Sequence, residues 1–207
     1  MPGVRQQDVT KATAAAMVRA GWEKCGSGLF RLPGDHDIVG WASHVVSRGD
    51  DGAVEISPKV GLRHEPLHQL VDRLSERDGG FEPTISIVLG YLLPEKSANV
   101  VWRFDGSVPL EEQAENLVQA VETYGRPFID SHSTLEDLLD GLAADPWYGP
   151  KRYPAALALL GRRAEAGRAL EIELAKVADR TDPRDVAAAE LRNFALRLRA
   201  EIDGMST

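Results

Sequence analysis

Hydrophobic periodicity switches twice along this chain, and the two switches restrict it to a mixed fold. Residues 7–20 repeat their apolar side chains at helical spacing, with Val9, Ala12, Ala16, Met17 and Ala20 on one stripe and Gly21 as a stop. From there the period falls to two. Residues 28–32, 37–47 and 53–60 read as strands separated by Pro33-Gly34-Asp35 and by Arg48-Gly49-Asp50-Asp51-Gly52. In the third run Val54, Ile56 and Val60 face one way, and Glu55, Ser57 and Lys59 the other. Tight Gly/Asp turns between such runs predict an antiparallel meander. A helix is expected at 65–76, with Leu67, Leu70, Val71 and Leu74 buried. Two more strands follow, at 84–93 and 100–105. Five strands with helices before, between and after them make an α+β sheet covered on one face.

Beyond Pro109 the period is helical throughout. Ser107 can cap a helix whose core stripe is Leu110, Ala114, Leu117, Val121 and Tyr124. Ser133-Thr134-Leu135-Glu136 matches a capping box for a second short helix ending near 143. The aromatic connector Asp145-Pro146-Trp147-Tyr148-Gly149-Pro150 then marks a boundary, dividing a sheet domain, 1–145, from a helical extension, 146–207. Helices are expected at 154–160, 162–178 and 183–202, the last capped by Asp182 with Pro183 in its first turn. Residues 158–166 resemble one helix-turn-helix unit of the tetratricopeptide kind. One unit cannot stack into a solenoid, which leaves a helical hairpin.

Composition narrows the function classes. A 207-residue chain, 43% hydrophobic and 27% charged, buries about 70% of its unfolded surface and needs no disulfide or metal to fold. Its 24 basic and 32 acidic residues give a net charge of −8. The acidity sits in the first 150 residues, because the remainder carries 11 basic and 9 acidic side chains. Such a body lacks the basic stripe that phosphate binding requires, so nucleic acid is not an expected partner. No run approaches 18 apolar residues, which speaks against a membrane span. The single cysteine, Cys25, and the lack of an apolar leader core point to the cytoplasm.

The most specific chemical match is His64-Glu65-Pro66-Leu67-His68, an H-E-x-x-H pattern. On a helix, two histidines at i and i+4 share a face and bind zinc, while Glu65 would be the general base toward a metal-bound water. Pro66 belongs in a first helical turn, which places His64 at the cap rather than on a helical face with His68. A third ligand is also needed; His132, His44, Glu82 and Glu95 are the candidates. The simpler expectation is that His64 and Glu65 satisfy a helix N-terminus and His68 lies on the solvent face.

Other constellations carry less chemistry. Cys25 has no neighbouring histidine to activate it. Gly26-Ser27-Gly28 lacks the ending of a phosphate loop. Asp35-His36-Asp37 and Asp50-Asp51 read as solvated turns. Asp130-Ser131-His132-Ser133 brings triad residue types together in sequence, but a helix cap explains them more simply. Trp41, Tyr91, Trp102 and Phe104 alternate along strands and are expected in the core. Trp147 and Tyr148 stand apart because they sit in a Pro/Gly connector, where they serve either as packing glue or as interface anchors.

The order of these elements resembles a bacterial family. A helix ends in Gly21-Trp22-Glu23-Lys24, and Gly28-Leu29-Phe30-Arg31 opens the sheet. A strand runs through Ile56-Ser57-Pro58-Lys59-Val60-Gly61-Leu62-Arg63-His64, and Val101-Trp102-Arg103-Phe104 precedes a helix leading to Tyr124-Gly125-Arg126-Pro127-Phe128. Over residues 9–143 this is similar to the uncharacterised bacterial domain-of-unknown-function family 4304. The resemblance implies an α+β domain and no established activity or site, so it carries over no catalytic residues.

The leading expectation is a non-enzymatic cytoplasmic protein, immunity-like or accessory, that binds a protein partner through Trp147 and Tyr148 and needs no cofactor. Its rival is a zinc-dependent hydrolase using His64, Glu65 and His68. A third reading is a small-ligand cup on the open sheet face near Trp41 and His44.

Overall fold

The computed structural model describes residues 4–34, 37–76, 80–182 and 184–204. The fold is α+β, an antiparallel sheet with a helical C-terminal portion. The chain divides into two compact units interleaved in sequence: residues 1–63 with 85–133, and 64–84 with 134–207. The connector boundary after residue 145 falls inside the second unit. Asp35-His36 and Pro183, which the sequence places in a turn and in a first helical turn, lie outside the described residues.

The first unit begins with α1 (Gln6–Arg19), which buries Val9, Thr13, Ala16 and Met17. Strands β1 (Glu23–Gly26), β2 (Leu29–Leu32), β3 (Ile38–Arg48) and β4 (Val54–His64) follow as a meander. The alternation in β4 is as expected: Val54, Ile56 and Val60 are buried while Glu55, Ser57 and Lys59 are more open. In β2 against β3, Phe30 pairs with Ala42 and Leu32 with Gly40. β1 has no apolar alternation of its own; pairing with β2, Lys24 opposite Phe30, defines it.

On the other side of β4 lie β5 (Ile85–Val88) and β6 (Trp102–Phe104), which pair with its Lys59–Leu62 and Val54–Ile56 segments. β5 is shorter than the 84–93 run predicts. The chain leaves the sheet in a 3₁₀ turn at Leu89–Tyr91, where Gly90 passes so near Ser97 that a Cβ would overlap its carbonyl oxygen. Tyr91 is consequently exposed instead of continuing a buried face.

One long helical run packs on the sheet: α3 (Leu110–Ala120), a π turn at Val121–Gly125, and α4 (Arg126–Asp130). Gly125 in the π turn lets the helix approach Val60, and Ile129 lies over Gly40. The buried Trp22 indole donates to Glu122 Oε1 at 2.7 Å from the same turn.

The second unit consists of α2 (Glu65–Ser75), α5 (Leu139–Ala144), α6 (Gly149–Leu159), α7 (Arg163–Lys176) and α8 (Val186–Gly204), with the segment before β5. α2 neighbours α6 and α8, and α6 neighbours α5 and α7. Thr134, one residue after the expected position, makes the capping box: its backbone N–H donates to Asp137 Oδ2, and its hydroxyl accepts the Asp137 N–H. Asp185 caps α8 by accepting from Ala188 N–H. Among the described residues, no helix is long and apolar enough to cross a membrane.

Candidate functional site

The connector makes a short pedestal between α5 and α6. Asp145 Oδ1 accepts the backbone N–H of Trp147 at 2.8 Å and of Tyr148 at 3.0 Å, an Asx-type turn that fixes both aromatic residues. Trp147 is 86% exposed and Tyr148 45%. The Arg152 guanidinium, one helical turn on, lies 4.1 Å from the Tyr148 ring centroid. Arg152 is itself buried. It donates to the Pro83 carbonyl at 2.6 Å and to Glu82 Oε2 at 3.2 Å, so the cation under Tyr148 is held from behind. Ala143, Ala144 and Pro146 add exposed apolar surface along the same stretch, and Asp140 is exposed one turn earlier. Trp147 is thus displayed to solvent, while Tyr148 is half covered by its stack on Arg152.

The H-E-x-x-H segment is organised differently. His64 has an extended backbone and is the N-cap of α2, and its Nδ1 accepts the Leu67 N–H at 3.1 Å. Its own N–H donates to Thr84 Oγ1 at 2.8 Å. Pro66 occupies the first helical turn. This is the cap that the proline position implies, and it keeps His64 off the helical face of His68. His68 is not on the solvent face: it is 3% exposed, because α2 turns a wide face inward with Leu67, Leu70 and Leu74. Among the described residues no three His, Cys, Asp or Glu side chains are grouped to hold a metal ion. Among the described residues, His64, Glu65 and His68 are thus joined by no third side chain of that kind.

Ser131 Oγ lies 3.0 Å from His132 Nδ1, but the carboxylate of Asp130 is engaged elsewhere. Asp130 accepts from Arg126 at 3.2 Å, while Ser131 and His132 both bond to the Phe128 carbonyl, at 2.9 and 2.8 Å. They close the end of α4 and form no triad. Trp41 is buried, so it does not line an open cup. His44 packs its ring against Phe30, with centroids 5.8 Å apart, and against Gly28. Burial lowers its pKa to about 4. Cys25 is exposed in β1.

Hollows among the described residues also lie outside these clusters. A groove of about 590 Å³ is lined by Arg73, Leu74, Glu76, Arg197, Ala200 and Glu201. Its arginines are spoken for, Arg73 by Glu201 and Arg197 by Glu76 at 2.6 Å. A second, about 240 Å³, is walled by Arg103, which pairs with Asp51, Glu55 and Asp105. Neither offers the convergent polar groups of a ligand pocket.

No family model matches the chain, and comparison with curated proteins and with solved structures returns no match.

Proposed function

We propose that the protein is a non-enzymatic protein-binding module, immunity-like or accessory in role, that engages its partner through Trp147 and Tyr148. The observation that carries this is the exposure of Trp147 on a backbone held by Asp145. An indole that buries ~200 Å² at an interface contributes about 4–5 kcal/mol of gross stabilisation at ~25 cal/mol per Å². The Asx turn and the Arg152 stack order the loop before any partner arrives, so less entropy is lost on binding. The fitting partner presents an apolar slot with a basic rim, because Asp140 is exposed in the helix just before the connector and the chain is acidic overall. A cytoplasmic setting and a bacterial origin belong to this reading; the lone Cys25 supports the first, and the resemblance of residues 9–143 to family 4304 the second. Neither nucleic acid nor a cofactor enters it.

The test compares wild type with Trp147→Ala in quantitative affinity capture, followed by reconstitution with the purified partner. Trp147→Ala is expected to weaken binding by at least ~20-fold, as truncation of an interface hot spot does, with thermal stability unchanged. A partner bound equally by both forms rejects the proposal.

A further inference from the structure

Each exposed ring of the connector carries a polar atom that the fold leaves unspent. Trp147 and Tyr148 donate through their backbone N–H groups to Asp145. Among the described residues, neither the Trp147 indole N–H nor the Tyr148 hydroxyl has a hydrogen-bond partner. An indole N–H can only donate, and a phenol hydroxyl donates or accepts. The carboxylates that could take a donor from a ligand here are committed, Asp145 Oδ1 to the two backbone N–H groups and Glu82 Oε2 to Arg152. The pedestal therefore offers apolar area and side-chain donors. The ligand that fits it supplies apolar area and acceptors, and brings no donors that would be left unpaired.

We infer that the segment recognised by Trp147 and Tyr148 is a proline-rich stretch in the polyproline II conformation, flanked by an arginine or lysine. The inference rests on the reading of these two residues as the partner site and names the chemistry that fills it. An ordinary extended peptide fails the donor condition, because each residue brings an N–H that is costly to bury without an acceptor. Proline removes that N–H and keeps the carbonyl. A run of prolines has no internal hydrogen bonds, so its carbonyls remain available to the indole and the phenol. Prolines three apart lie on one edge of that helix, about 9 Å apart at 3.1 Å per residue, and the gap between them is an apolar slot for an indole.

Charge gives the flank. Asp140 is exposed on α5, the helix that leads into the connector, and has no ion pair among the described residues. In a chain of net charge −8 it favours a basic side chain at one end of the proline run. Both sides are ordered before they meet, the aromatics by the Asx turn and the ligand by its own rings, which keeps the entropic cost low. A sugar ring would also stack on an indole. Its hydroxyls, however, bring donors as well as acceptors, and the carboxylates that would receive them are already committed.

Fluorescence anisotropy of labelled synthetic peptides, titrated with the full chain, tests this. One peptide carries an arginine beside a proline run, a second has alanine at every proline, and a third has glutamine for the arginine. The first is expected to bind, and the alanine peptide to bind at least ~10-fold more weakly. Trp147→Ala should weaken the first by at least ~20-fold. Tyr148→Phe keeps the ring and loses the hydroxyl, for a loss of about 3- to 10-fold. Asp140→Asn should weaken the arginine peptide about 3-fold and leave the glutamine peptide unchanged. All three positions are exposed, so the variants keep the wild-type melting temperature. Equal binding of the alanine peptide, indifference to Trp147→Ala, or no binding of the proline peptide up to about 1 mM overturns the inference. So does a cello-oligosaccharide held through Trp147 by a chain that ignores the proline peptide. Titration of the purified partner separates the class from the site. A partner that needs Trp147, in a chain blind to proline peptides, rejects the proline class and leaves the interface standing; a partner indifferent to Trp147 rejects both.

Discussion

His44 shows what a single burial does to chemistry. Its Nε2 is buried with no hydrogen-bond partner among the described residues, and desolvation lowers its pKa from 6.5 to about 4. The unfolded chain therefore binds a proton at this site below pH 6.5, while the folded one stays neutral until about pH 4. Stability is undiminished above pH 6.5 and falls as pH drops through that window. The loss approaches about 3 kcal/mol at its lower end. His44→Leu removes the proton site and keeps an apolar side chain against Phe30. The gap in urea-unfolding free energy between His44→Leu and wild type should widen in the variant's favour from pH 7 to pH 4. Parallel curves would mean that His44 is more hydrated than the structure shows. At the same scale, Trp147 predicts the reverse profile: a Trp147→Ala chain as stable as wild type, but deficient in binding.

At the scale of elements, α2 depends on a cap that an imidazole provides. Ser, Thr, Asp and Asn usually accept the N-terminal N–H groups of a helix; here His64 Nδ1 does so for Leu67. His64→Ala should cost about 1 kcal/mol of stability and His64→Asn much less, as read by denaturant midpoint. Equal losses would place the energy in packing of the ring instead. Pro66 made the helix start legible in sequence, since a proline is at home only in a first turn. Period-two alternation did the same for β4. β1 escaped notice because Glu23, Lys24 and Cys25 carry no apolar rhythm and owe their strand to pairing with Phe30 and Arg31. The early end of β5 was hidden for a similar reason, because nothing near Gly90 announces Ser97 as its neighbour. The burial of His68 is not legible in sequence, because a stripe of Leu67, Leu70 and Leu74 marks the centre of a buried face but not its width. The display of Trp147 and Tyr148 was half legible: the Pro/Gly connector set them apart, and only the Asp145 and Arg152 contacts decide how they stand.

For the whole molecule, sequence order and spatial grouping part company. Residues 64–84 belong with α5 to α8, although β4 runs into α2 without a loop and the chain returns to the sheet at Ile85. Local patterns identify each apolar stripe without naming its partner, so this grouping could not be read from periodicity. A fragment cut at the connector, residues 1–145, would retain α2 without α6 and α8. It is expected to bind a hydrophobic dye and melt at least ~10 °C below the full chain, with Leu67, Leu70 and Leu74 uncovered. A fragment as stable as the full chain would show that α2 can be covered from the first unit alone.

The same interleaving has a temporal side. On the ribosome α2 is complete some 110 residues before α8 begins to emerge. At roughly 5–20 residues per second that is a wait on the order of 10 s. During it Leu67, Leu70 and Leu74 lack one of the helices they finally pack beside. Synthesis of this chain thus includes an interval in which an apolar helix face is offered to whatever is nearby, and a chaperone that holds such faces would act between those two moments.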